Sequence, residues 1–239
     1  MMRQFELVDR VSAYVHDLDE DFLNRAYVFA VNKHGTQKRA SGDPYFSHPV
    51  EVAGILTELK LDPETIVTGL LHDTLEDTDT TPAEITELFG PEVTQLVDGV
   101  TKLSLLETKS ISNKQAENFR KLLLTMADDV RVILIKIADR LHNMQTMDAM
   151  PAHKQVKIAS ETLYIYAPLA HRLGLYNIKT ELEDLGLKYT EPDVFKSIVQ
   201  KIKESKEEQQ NYLETFSKTL QEGLDQENFK YEIKGRFKS

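Results

Sequence analysis

The chain has 239 residues, of which 41% are hydrophobic and 28% charged, enough apolar material for a buried core and too much for a disordered polymer. Its 39 Asp and Glu against 29 Lys and Arg leave a formal net charge of −10, which argues against a general grip on nucleic-acid backbone. The absence of Cys excludes a disulfide scaffold, a Cys-ligated zinc site and cysteine catalysis, and it fits a reducing cytoplasm.

In chain order, the N-terminal Met1-Met2-Arg3-Gln4-Phe5-Glu6 offers no apolar signal core. The loop Gly35 to Ser47 leads into His48-Pro49, which reads as a helix entry. Asp62-Pro63, Thr81-Pro82-Ala83-Glu84 and Glu191-Pro192 each read as a cap followed by Pro at the first helical position. Apolar residues then recur at helical spacing: Val52, Ile55, Leu56 and Leu59; Ile66, Leu70 and Leu71; Val93, Leu96, Val97 and Val100. Ala116 to Met147 reads as two helices broken near Asp128-Asp129. The second, from Arg131, is apolar on most sides in its first half and should lie at the centre, with Pro151 marking its end. Its stretch Val130 to Ala138 carries Arg131 and Lys136 and is too short and too charged to span a bilayer.

Val156 to Leu173, Ile178 to Leu187 and Phe195 to Leu224 give three further helices. The polar run Lys203 to Asn211 within the last reads as a solvated face or linker. Only Phe229, Tyr231 and Ile233 alternate with period two, ahead of Gly235-Arg236. A lone strand needs a partner elsewhere, and the reading adopted is a chain that stops just inside a second domain. The expected class is all-α.

The densest chemical signal is His72-Asp73-Thr74-Leu75-Glu76-Asp77. On one continuous helix His72, Glu76, Asp73 and Asp77 fall at about 0°, 40°, 100° and 140°, giving a polar face with an imidazole and three carboxylates. Such acids repel unless a cation neutralises them or water solvates them, so the alternatives are a metal site or an exposed acidic helix end. Asp139 closes the apolar run Val132 to Ala138, where a carboxylate is costly unless liganded or paired with Arg140 or another base. Asn143 and Thr146 lie on the same stripe. His142 departs from it by about 60° and reads as support for the ligands or as core. The loop residues Lys38, Arg39, Ser41 and Tyr45 could hold a phosphorylated planar ligand.

Taken together, the stretches Arg39 to Pro49, His72 to Asp77, Val97 to Lys102, Ile137 to Met144 and Tyr166 to Gly174 resemble the N-terminal hydrolase portion of the RelA/SpoT homologues. These are bifunctional proteins that make and degrade the alarmone (p)ppGpp. The resemblance covers nearly the whole chain and implies an HD-superfamily helical bundle over residues 1–152. It also implies a helical continuation or linker over 153–200 and the beginning of a truncated synthetase domain over 201–239, with the first strand of an α/β fold. It implies that His48, His72, Asp73 and Asp139 ligate Mn²⁺, and that Glu76 and Asp77 position and deprotonate the attacking water. Arg39, Asn143 and Thr146 would hold the guanine nucleotide, ppGpp or pppGpp. The implied reaction removes the 3′ pyrophosphate, with no synthesis by this chain, no membrane and no direct nucleic-acid partner. The full-length protein would carry synthetase and regulatory domains, and a homo-oligomer is compatible with the pattern. Departures are Ala40, where many members carry Lys, Gln145, where Arg is common, and a shifted glycine in His34-Gly35-Thr36-Gln37. Two other readings stay open: an HD phosphohydrolase for another nucleotide, and a non-catalytic nucleotide-sensing module.

Overall fold

Short capping side chains ahead of apolar runs fix where several helices begin. A computed structural model describes residues 2–108, 129–226 and 232–233. The Arg3 amide donates to Glu6 at 2.7 Å to open α1 (Gln4–Ser12), and Asp19 accepts the Phe22 amide to open α2 (Glu20–His34). The entry to α3 (Ser47–Glu58) differs from expectation by a residue or two. Backbone bonds from Ser47 to Pro44 and from His48 to Tyr45 start the helix at Ser47, so His48 lies inside its first turn. Pro49 is tolerated there because first-turn N–H groups have no helical acceptor.

Asp62 accepts the Thr65 amide at 3.0 Å and opens α4 (Pro63–Leu71). The single helix expected to run through Asp77 is interrupted. Thr74 donates its hydroxyl to the Leu71 carbonyl at 2.6 Å, and Asp73 sits at φ −93°, ψ −5° before the short α5 (Thr74–Asp77). His72 and Asp73 therefore occupy a turn rather than a helix face. Thr81 caps α6 (Pro82–Thr108), which bends at Gly90 (φ +87°) and Pro91.

The buried central helix expected from Arg131 is α7 (Val130–Gln145), followed by a 3₁₀ turn, Met147–Ala149. The run expected from Val156 to Leu173 comprises α8 (Ala152–Glu161), a π turn (Thr162–Tyr166) and α9 (Ala167–Arg172). Then come α10 (Tyr176–Thr190) and α11 (Pro192–Gln226), whose polar stretch from Lys203 to Asn211 is solvent-exposed. There is no strand among the described residues, only an isolated bridge between Lys38 and Pro44. The helix expected over residues 116–128 and most of the Phe229–Ile233 alternation, with Gly235-Arg236, lie outside the described residues. The chain forms two compact units, Met1–Gly186 and Leu187–Ser239. Residues 153–186 belong to the first.

In the first unit α4 is the hub, packed against α2, α3, α6 and α7, while α7 also packs on α3 and α6. Ile66, Val67, Leu70 and Leu71 have no exposed surface, each burial contributing about 1.5–3 kcal/mol. Helices α3 and α4 approach closely at Gly69, where an added Cβ would stand 2.6 Å from Leu56 Cδ1. The hydrophobic hub thus holds the helix ends that carry His48 and His72 at a fixed spacing.

Asp62 also pairs with Arg131 at 3.2 Å. Burial opposes its ionisation, but hydrogen bonds from Thr65 and the Arg131 charge outweigh burial and hold its pKa below 3.8. Its stabilising contribution is therefore complete above the unfolded-state value and is lost as pH falls through the folded one. Asp62→Ala is expected to lower unfolding free energy by about 1–2 kcal/mol in urea titrations at pH 7, with a smaller difference near pH 3.

Candidate functional site

Three separate parts of the fold deliver four side chains to one point. His48 comes from the first turn of α3, His72 and Asp73 from the turn after α4, and Asp139 from α7. His48 Nε2 lies 3.1 Å from Asp139 Oδ1 and 3.7 Å from Asp73 Oδ2. His72 Nε2 lies 3.1 Å from Asp73 Oδ1 and 3.9 Å from Asp139 Oδ1. Ligand atoms of His48, His72 and Asp139 all fall within 4.8 Å of one another, and all three residues are buried. Three of the four residues singled out as ligands thus share one cluster, and Asp73 lies against both imidazoles through its two different oxygens.

The proton positions on both imidazoles follow from their other contacts. His72 Nδ1 is 2.8 Å from the Gly69 carbonyl, which can only accept, so Nδ1 carries a proton and Nε2 is the nitrogen left to hold a proton or a cation. Buried His72 Nε2 has no hydrogen-bond partner. Arg39 Nη1 stands 3.2 Å from His142 Nδ1, and a guanidinium can only donate, so His142 Nδ1 accepts. His48 Nδ1 lies 2.7 Å from the same atom, and in the tautomer that carries its proton on Nδ1 the His48 Nε2 lone pair is left for a cation. Burial, followed by the nearby charges of His48 and Arg39, holds the His142 pKa down at about 3, in keeping with a neutral acceptor.

Two imidazole lone pairs opposed to two carboxylates make an arrangement that only positive charge can stabilise. Burial opposes protonation of His72, yet Asp73 and Asp139 overcome it and raise its pKa to about 9. At His48 burial wins and lowers the pKa despite Asp139. Asp139 is buried, which opposes its charge, but Lys136 and the two imidazoles hold its pKa well below 3.8. The donor set, two neutral imidazoles with their remaining N–H groups anchored and two carboxylates, fits a divalent cation.

The base expected to pair with Asp139 proves to be Lys136, one turn earlier, whose Nζ donates to Asp139 Oδ2 at 2.7 Å. Asn143 donates to Asp139 Oδ1 at 2.6 Å, and its own amide oxygen accepts from Arg39 Nη2 at 2.9 Å. Arg39 thus forks across His142 and Asn143. Thr146 is exposed at the end of α7, its hydroxyl donating to the His142 carbonyl at 2.9 Å, and it makes no contact with the cluster. Gln145, one of the departures, donates to Glu181 at 2.7 Å.

Glu76 and Asp77 stand on α5 beside the cluster. Partial desolvation and the charges of Asp73 and Asp77 outweigh a Ser104 hydrogen bond and Lys136, and raise the Glu76 pKa above 4.5. Tyr45 closes the other side, its hydroxyl 2.8 Å from Asp73 Oδ2 and 2.7 Å from Asp77 Oδ2. A cavity of about 420 Å³ opens next to Asp139 and Asn143, with Lys136, Lys154 and Lys157 on its walls. The sequence reading did not single out Lys136, although its place three residues before a carboxylate in an apolar run was the available signal. Lys154 and Lys157 carry no local signal, because only the packing of α8 brings them to the cavity.

A family model described as the HD domain matches residues 26–176, which include every residue of the cluster. The chain belongs to the HD-domain family. Among curated relatives, "GTP pyrophosphokinase rsh" of Brucella ovis is 51% identical over 238 residues, covering 100% of this chain and 32% of the relative. "Guanosine-3′,5′-bis(diphosphate) 3′-pyrophosphohydrolase" of Aquifex aeolicus is 47% identical, covering 98% and 33%. The chain thus spans about a third of the length of the curated relatives it matches. A solved structure, described as "A metazoan ortholog of SpoT hydrolyzes ppGpp and plays a role in starvation responses", aligns with TM-score 0.53 and 26% identity, over 72% of this chain and 96% of that one.

If His142 fixes the His48 tautomer, replacing it by an apolar residue of similar bulk should weaken the ion site without dismantling the fold. His142→Leu is expected to lower divalent-ion affinity roughly 10–100-fold, measured by competition with a metal-sensitive dye.

Proposed function

We propose that this chain hydrolyses (p)ppGpp to GDP or GTP and pyrophosphate, as the hydrolase portion of a RelA/SpoT homologue. The observation that carries the reading is the convergence of His48, His72, Asp73 and Asp139 on one point with Glu76 and Asp77 beside it. The names of the relatives and of the structural neighbour support the substrate. The resident ion is proposed to be Mn²⁺. A mixed nitrogen and oxygen set also accepts Fe, Co, Ni or Zn, so the choice rests on geometry and supply. When bound, a divalent ion supplies Lewis-acid stabilisation to charge developing on a phosphoryl oxygen.

The chain's own residues account for the rest. Glu76, with its pKa raised, accepts the proton of the attacking water better than an ordinary carboxylate does. Asp77, held by Tyr45, orients that water. The water oxygen bonds to the phosphorus attached to the ribose 3′ oxygen, the bond from phosphorus to that oxygen breaks, and the 3′ hydroxyl is left on the nucleotide. Arg39, held by His142 and Asn143, would present a planar guanidinium to the base, and Asn143 and, from the exposed end of the helix, Thr146 are proposed to serve base and ribose. Lys136, Lys154 and Lys157 give the cavity the local positive field that a net charge of −10 would deny a polyphosphate. Cytoplasmic alarmone breakdown, controlling the stringent response within a longer protein that also carries synthetase and regulatory domains, is the setting proposed. Among the described residues no helix is long and apolar enough to cross a membrane.

The test incubates the chain with ppGpp, GTP or ATP, with Mn²⁺ or with chelator. Pyrophosphate release from ppGpp with Mn²⁺ alone supports the proposal. Release from another nucleotide instead assigns a different HD phosphohydrolase, and ion binding with no turnover assigns a sensing module. Glu76→Gln and Asp77→Asn are each expected to lose at least about 100-fold in kcat while Mn²⁺ content stays stoichiometric, whereas Asp73→Asn should lose the ion itself.

A further inference from the structure

The loop between α2 and α3 contributes more to the site than Arg39. Tyr45 places one hydroxyl within 2.8 Å of Asp73 Oδ2 and 2.7 Å of Asp77 Oδ2, two like-charged groups four residues apart. Without a donor between them these carboxylates would repel and turn away from each other. A phenol hydroxyl has one proton to give, so the two acids share a single donor.

The ring itself is held from both sides of the loop. His34, buried at the end of α2, stacks on it with centroids 4.7 Å apart, and its Nδ1 pairs with Gln37 Oε1 at 2.9 Å. Gln37 Nε2 in turn donates to the Asp77 backbone carbonyl at 2.7 Å, so the same side chain that orients His34 also pins the end of α5. The Tyr45 amide closes the loop on the Gln37 carbonyl at 2.9 Å.

We propose that Tyr45, seated on His34, is a positioning residue that couples the ion-holding Asp73 to the water-orienting Asp77, with Gln37 fixing the backbone beneath Asp77. The assignment of Asp77 rests on the function proposed above, while the hold on Asp73 does not. In this assignment Tyr45 acts through both acids.

Tyr45→Phe keeps the ring and the stack and removes only the shared donor. Mn²⁺ affinity, followed by calorimetry on the intact chain, is expected to fall roughly 10-fold, and kcat for ppGpp roughly 10–100-fold, with KM changed less than about 3-fold. Because Tyr45 acts through Asp77, adding Tyr45→Phe to Asp77→Asn should cost little further kcat, where independent roles would multiply. Gln37→Ala, which leaves the ring in place, should lower kcat and leave Mn²⁺ affinity unchanged. Wild-type ion affinity and kcat in Tyr45→Phe, or fully multiplicative losses in the double variant, would overturn the proposal. If wild-type protein shows no turnover of ppGpp yet Tyr45→Phe weakens Mn²⁺ binding, the substrate reading fails and the hold on Asp73 stands. Should Tyr45→Phe not fold, Gln37→Ala with wild-type kcat overturns the coupling by itself.

Discussion

Two imidazoles and two carboxylates share one buried pocket, and the rest of the first compact unit is arranged around their need for positive charge between them. A proton on His72 supplies that charge in part, and a divalent cation would supply it in full. The groups behind hold the four side chains in place: the Gly69 carbonyl lies against His72 Nδ1, His142 against His48 Nδ1, and Lys136 and Asn143 hold Asp139 from its far side. Such pre-set anchoring is what allows a site to bind an ion without first reorganising, and the anchoring residues matter as much as the ligands.

The anchoring in turn depends on hydrophobic burial some distance away. His72 is delivered by the end of α4, whose apolar residues contact four other helices, and Asp139 by the middle of α7, whose preceding residues are buried. Neither polar group could be held in so dry a place by its own interactions, since burying an unpaired charge costs more than any single contact returns. The apolar packing makes the pocket, and the pocket sharpens the electrostatics within it.

Much of this was legible in the amino-acid order. The all-helical class followed from caps and apolar spacing, and Asp62-Pro63 and Thr81-Pro82 mark helix starts where the structure has them. His72, Asp73 and Asp139 drew notice because acids and an imidazole adjoin apolar runs. The turn at His72–Asp73 was not legible, because helical periodicity continues through it and only the Thr74 hydroxyl bond to Leu71 reveals the break. Nor was the tautomer relay from Arg39 through His142 to His48, whose members lie about a hundred residues apart. Local pattern carries no record of which distant donors will meet. Tyr45 was read as a loop residue for a phosphorylated planar ligand rather than as a partner of Asp73 and Asp77, since both acids come from a different segment.

Gly69 has a consequence of its own. By letting α3 and α4 nearly touch, the smallest residue in the protein acts as a gauge block for the gap between the rings of His48 and His72. A single methyl there would press on the tip of the buried Leu56 side chain and stand 3.5 Å from the α3 backbone at Ala53, already in contact, so any relief has to come from the packing that spaces the two rings. A position with no functional group of its own thereby shares in setting the site.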